Sequence, residues 1–109
     1  MDGSFSANWV QVGTLGDIPR QGARVVATTR GDVAVFRTLD DTVFALDDAC
    51  PHKAGRLSQG IVHGHNVTCP LHNWVIDLGT GAAHAPDQGC AVRIAVRVED
   101  GRILLALPA

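Results

Sequence analysis

The chain contains no tyrosine, and its aromatic residues amount to 5% of 109 positions. No cluster of lysine and arginine appears, and the formal net charge is −2, so the basic footprint of a nucleic-acid surface is missing. No apolar stretch approaches the ~20 residues of a membrane-spanning helix. The opening "MDGSFSANWVQVG" has neither a charged n-region nor an apolar h-region, which argues against a secretory signal. The expected compartment is therefore cytoplasmic, where thiols stay reduced. Three cysteines, an odd number, argue against a disulfide framework. Internal repeats, low-complexity segments and linkers are also lacking, so one domain spanning 1–109 is expected.

What is present is an ordinary apolar content of 46%, with 12 glycines and 5 prolines scattered along the chain. A chain of this size buries roughly 65% of its unfolded surface, enough for one modest core. Few stretches show helical spacing. Short β-rich runs alternate with turn signals instead: "ARVVATT" and "DVAVFRTL" across Arg30-Gly31, then "TVFALD" after Asp40-Asp41, then "IVHGHNVTC" with Gly64 near its tip. At the end, "CAVRIAVRV" meets "RILLALP" across Glu99-Asp100-Gly101. Val92, Ile94, Val96 and Val98 would share one face of a single strand, and Ile103, Leu105 and Leu107 one face of its partner. "LGDIPRQG" would be a loop feeding the first long strand, and Trp9 would anchor the strand before it. The predicted fold is all-β, about nine short antiparallel strands forming a sandwich or small barrel.

The chemistry concentrates in "CPHKAGRLSQGIVHGHNVTCPLH", residues 50–72, which holds two of the three cysteines and four of the five histidines. Cys50 and His52 are one residue apart, Cys69 and His72 two apart, and a hairpin fills the 16 residues between His52 and Cys69. A hairpin returns the chain to its start, so two loops would face each other with two thiolates and two imidazoles. Pro51 and Pro70 would stiffen them, and Gly55, Gly79 and Gly81 would relax the backbone where needed. Three readings are compatible with this set. One is a structural zinc tetrahedron, although zinc ligands usually pair Cys with Cys and His with His. Another is a [2Fe–2S] cluster with two Cys on one iron and two His on the other, each loop giving one ligand to each iron. The last is buried thiols with incidental histidines.

At these positions the sequence resembles the Rieske iron–sulfur proteins, whose signature is Cys-x-His followed at a distance by Cys-x-x-His. The match is Cys50, His52, Cys69 and His72. The resemblance implies that these four hold one [2Fe–2S] cluster, that residues of about 48–81 form a two-loop cluster-binding subdomain, and that this is inserted in a basal β domain. Within the family, Lys53, "LSQGIVHG", "CPLHNWVIDL" and "VRVEDGRILL" look most like the small subunit of NAD(P)H-dependent assimilatory nitrite reductase. That likeness implies a large partner subunit with flavin, siroheme and a [4Fe–4S] cluster, on which nitrite becomes ammonium. Soluble ferredoxins of aromatic-ring dioxygenases are similar too. They more often carry Gly directly after the second His and an aromatic residue three positions later, where this chain has Asn73 and Ile76. A non-redox interaction subunit, with zinc or without metal, is the alternative from another class. In either redox reading the chain performs no substrate chemistry of its own.

Hydroxyl groups aimed at the cluster sulfurs raise its potential by stabilising the reduced state. The second loop has no Ser, Thr or Tyr before Thr80, which predicts a potential at the low end of the Rieske range. Pro51, Pro70, Leu71 and Trp74 are expected to shield the sulfurs, with Pro51, Lys53 and Leu71 available to a partner. His63, His65 and His84 are expected at the surface. Cys90 is expected as a small buried hydrophobe. Asp40-Asp41 and Asp47-Asp48 are expected as turn residues on a solvated face.

Overall fold

The fold was analysed in a computed structural model that describes residues 7–29, 31–50, 55–70, 73–85 and 87–108. Among them are ten strands: β1 (Ala7–Thr14), β2 (Gly22–Thr28), β3 (Gly31–Arg37), β4 (Val43–Asp47), β5 (Ile61–His63), β6 (Asn66–Thr68), β7 (Val75–Asp77), β8 (Arg93–Ile94), β9 (Val96–Glu99) and β10 (Arg102–Pro108). Single 3-10 turns at Leu15–Asp17 and Leu57–Gln59 are the described helical pieces. The strands make three antiparallel sheets, ordered β1-β10-β9, β2-β3-β4-β8 and β5-β6-β7. None closes into a barrel, so the sandwich form of the expectation is the one realised.

The four-stranded sheet is the middle layer. Its strands β3 and β4 carry apolar residues on both faces, in keeping with burial on both sides. Val33, Val35, Val43 and Ala45 point into a core with Ile18, Ile94, Ile103 and Leu105, which joins this sheet to β1-β10-β9. Ala34, Phe36 and Leu46 point the other way, into a second core with Leu57, Val62, Val67, Ile76 and Leu78. That core fastens the short β5-β6-β7 sheet to the opposite face. The tip of the β5–β6 hairpin is tied down as well: His65 places Nε2 3.0 Å from Asp40 Oδ2 and its ring edge-on to Phe44. Gly64 at that tip has φ +55°, a conformation that glycine adopts at little cost.

Local alternation predicted the hairpins well, but three details differ. The run 90–98 is not one strand. It breaks at Ala95, where β8 leaves β4 and β9 takes up β10, and Ala106 N–H donates to the Ala95 carbonyl. Ile94 is buried, whereas Val92 and Val98 are exposed. Trp9 lies at the surface: it is 41% exposed, and the Arg97 guanidinium of β9 lies 4.7 Å over its ring. Cys90 is exposed, because it sits in an isolated bridge with Ala82 at the rim and not in a packed strand.

The loop 15–22 is held to the middle sheet by Arg37, whose side chain is 13% exposed. Its Nη1 donates to the carbonyls of Leu15 and Ile18, and its Nε to Asp41 Oδ1. Arg20 donates to the same carboxylate, and together the two guanidinium groups, Arg20 foremost, hold Asp41 below its ordinary pKa. Asp41 is thus a partly exposed turn residue, as expected, and also a bridging acceptor. Hydrogen bonds to a buried charged group contribute about 1.5–3 kcal/mol. Arg37→Met should lower unfolding free energy by about 2 kcal/mol in urea titration, without altering the β-rich circular dichroism.

Candidate metal centre

Both cysteines of the signature stand at the base of a closed loop, and the two closures match. Cys50 N–H donates to the Gly55 carbonyl at 2.8 Å, and Cys69 N–H donates to the Trp74 carbonyl at 2.7 Å. Each bond spans five residues along the chain. The first loop begins where β4 leaves the middle sheet, with Asp47 N–H donating to Val92 O and Asp48 N–H to Asp32 O. The second loop is the tip of the β6–β7 hairpin, in which Thr68 pairs with Val75.

The thiol residues are buried, Cys50 at 5% exposure and Cys69 at 0%, and neither forms a disulfide. They share one apolar cluster with Leu57, Val62, Val67, Ile76 and Leu78, and Trp74 packs against it. Trp74 therefore occupies the packing role expected of it. Two buried cysteines outside any disulfide, set in one apolar cluster, suit sulfur ligation of iron, because water is kept from the sulfurs. His52 and His72 lie outside the described residues, as do Pro51, Lys53 and Leu71. In chain order each imidazole falls within one closed loop. Among the described residues no group of three potential ligands assembles.

The remaining histidines are engaged elsewhere or exposed. His63 Nε2 lies 2.7 Å from Thr68 Oγ1, His65 is bound to Asp40, and His84 is exposed. Gly60 permits the hairpin base to close next to Cys69, since a Cβ there would sit 2.3 Å from the Thr68 carbonyl oxygen. The sequence reading missed β7, which is only three residues long, and it misplaced Asp48. This residue was expected on a solvated face. Its side chain is instead fully buried, and its partners Arg56 and Ser58 belong to no alternation or turn signal that would reveal them.

Asn73 follows the second histidine of the signature with φ +58°. Asparagine and glycine are the residues that enter this region most readily. Either residue therefore meets the backbone requirement at this position. Asn73→Gly should leave stability unchanged or slightly raised, whereas Asn73→Val should cost at least about 1 kcal/mol, as read from paired denaturation midpoints.

Comparison with known proteins agrees with this geometry. The Rieske [2Fe-2S] domain family matches residues 8–100. The ferredoxin subunit of anthranilate 1,2-dioxygenase from Burkholderia cepacia is 34% identical over 98 residues, covering 89% of this chain and 90% of that protein. The ferredoxin of carbazole 1,9a-dioxygenase from Nocardioides aromaticivorans superposes with a TM-score of 0.83 at 27% identity, covering 94% of this chain and all of that one. A solved structure described as a candidate small subunit of an NADPH nitrite reductase superposes with a TM-score of 0.80 at 26% identity, covering 90% and 97%. A cluster of this class takes up and releases one electron. The chain belongs to the Rieske [2Fe–2S] domain family of electron-transfer proteins and carries one such cluster.

Proposed function

We propose that this chain is a cytoplasmic Rieske ferredoxin that delivers single electrons to the terminal oxygenase of an aromatic-ring dioxygenase system. The observation that carries this reading is the likeness to the anthranilate dioxygenase ferredoxin subunit, which extends over nearly the full length of both chains. Cys50 and Cys69 hold one iron and His52 and His72 the other. The chain's own work is to bury the two thiols, close both loops through the cysteine N–H groups and keep water from the sulfurs with Trp74, Leu57 and Leu78. No helix among the described residues is long and apolar enough to cross a membrane.

A second reading, the small subunit of a nitrite reductase with a flavin and siroheme partner, is favoured by the "CPLHNWVIDL" stretch and by the 26% identical structure. Partner exchange separates the two. The reduced chain should support turnover by an anthranilate dioxygenase oxygenase component; turnover only with a nitrite reductase large subunit would reverse the order.

The hydroxyls flanking the thiol segments are already committed. Ser58 Oγ donates to Asp48 at 2.7 Å, and Thr68 Oγ1 is engaged with His63. The midpoint potential should accordingly fall below zero, in the lower part of the range of about −150 to +300 mV; a redox titration well above zero would contradict this. Cys50→Ser should yield a colourless chain that lacks the two irons, two acid-labile sulfides and rhombic paramagnetic signal of the parent. Its sandwich core of Val33, Val35, Ile103 and Leu105 should still unfold cooperatively. A colourless parent chain containing zinc would instead identify the non-redox interaction subunit.

A further inference from the structure

The two loops are closed by the same backbone bond but supported differently. The second is continued by a strand ladder, Thr68↔Val75, Val67↔Ile76 and Asn66↔Asp77. The first has no such ladder. Its flanking residues Ala49 and Arg56 belong to no strand, because β4 is already paired on both edges with β3 and β8. A side chain takes the place of the missing rungs. The Asp48 carboxylate, with 0% side-chain exposure, accepts from Ser58 N–H through Oδ1 at 2.8 Å, and from Ser58 Oγ–H and Arg56 Nε–H through Oδ2 at 2.7 and 3.0 Å. Arg56 also reaches Asp32 on β3, at 2.8 Å, so the loop is fastened back to the middle sheet. These contacts, to Asp32 foremost, raise the Arg56 pKa above its ordinary value.

We propose that Asp48 is a positioning residue for the [2Fe–2S] centre: it fixes both ends of the loop that presents Cys50 and His52. The inference rests on the reading of those two residues as ligands. Asp48 touches neither sulfur nor iron in this assignment. Its effect passes through the loop backbone, and supporting partners of metal ligands characteristically change affinity by about 10–100-fold when removed.

The test is iron release from the loaded chain to a colorimetric chelator, followed with the rhombic paramagnetic signal. Asp48→Ala leaves Ser58 N–H and the Arg56 Nε–H without their acceptor, Arg56 keeping only Asp32, and should release iron about tenfold faster or more. Asp48→Asn keeps an oxygen for Ser58 but sets an amide against Arg56, and should fall between. Ser58→Ala removes one donor and should accelerate release least. Arg37→Met supplies the control, since it loosens the distant loop 15–22 and should lower the denaturation midpoint while leaving iron release at the parental rate. Should Asp48→Ala fail to fold, the graded order of Asp48→Asn and Ser58→Ala still decides. Parental release rates in the Asp48 and Ser58 variants, or equal acceleration by Arg37→Met, would overturn the inference alone. A parent chain that assembles no [2Fe–2S] cluster would overturn the ligand assignment first, and the positioning role with it.

Discussion

The structure depends on the burial of β3 and β4 from both sides. An antiparallel sheet usually keeps one face in water. Here the sequences "DVAVFR" and "TVFALD" are apolar almost without interruption, and Val33, Ala34, Val35 and Phe36 are each at most 1% exposed. Fully burying a side chain the size of Phe36 is worth roughly 1.5–3 kcal/mol, and that gain is available only if a second layer covers its face. The β5-β6-β7 sheet provides the cover. It is too short to stand alone, as strands of three residues bury little by themselves, so its stability comes from the face on which it lies. Cys50 and Cys69 belong to this shared core.

This explains which features could be seen in the sequence. The hairpins β2–β3, β3–β4, β5–β6 and β9–β10 each follow from alternation and turn chemistry within some fifteen residues, which is the range over which a linear pattern carries information. The Cys-x-His and Cys-x-x-His pairs, proposed above as the ligands, stand out in the sequence for the same reason, since their spacing is local. The break at Ala95 was not. "CAVRIAVRV" alternates without fault, and only the competing demands of β4 and β10, far away in the chain, divide it between two sheets. Cys90 and Asp48 were misjudged in opposite directions. The thiol looked apolar and lies in the open; the carboxylate looked polar and lies buried. Contacts that no alternation or turn signal marks decide both outcomes, as with Ser58 and Arg56 for Asp48 and the isolated bridge to Ala82 for Cys90.

The two loops also show how one backbone device is adapted to two settings. At the β6–β7 tip the cysteine N–H bond simply terminates a ladder. At the end of β4 the chain must leave a sheet whose neighbours occupy both of its edges, so no ladder can follow it out. Asp48 remains bonded to Asp32 through its N–H and turns its carboxylate toward Ser58 and Arg56, so one residue serves the sheet with its backbone and the loop with its side chain.

An electron carrier gains from such anchoring, because a shell already held in place needs little rearrangement when the charge of the centre changes. The first loop is tied to β3 and β4 in the middle sheet and the second to β6 and β7 in the outer one. The Ala34, Phe36 and Leu46 face locks these two sheets together. Relative displacement of the loops would have to open that core. The apolar continuity of β3 and β4 is therefore a functional constraint as well as a packing one: it fixes the spacing between the two halves of the site, which neither loop could define alone.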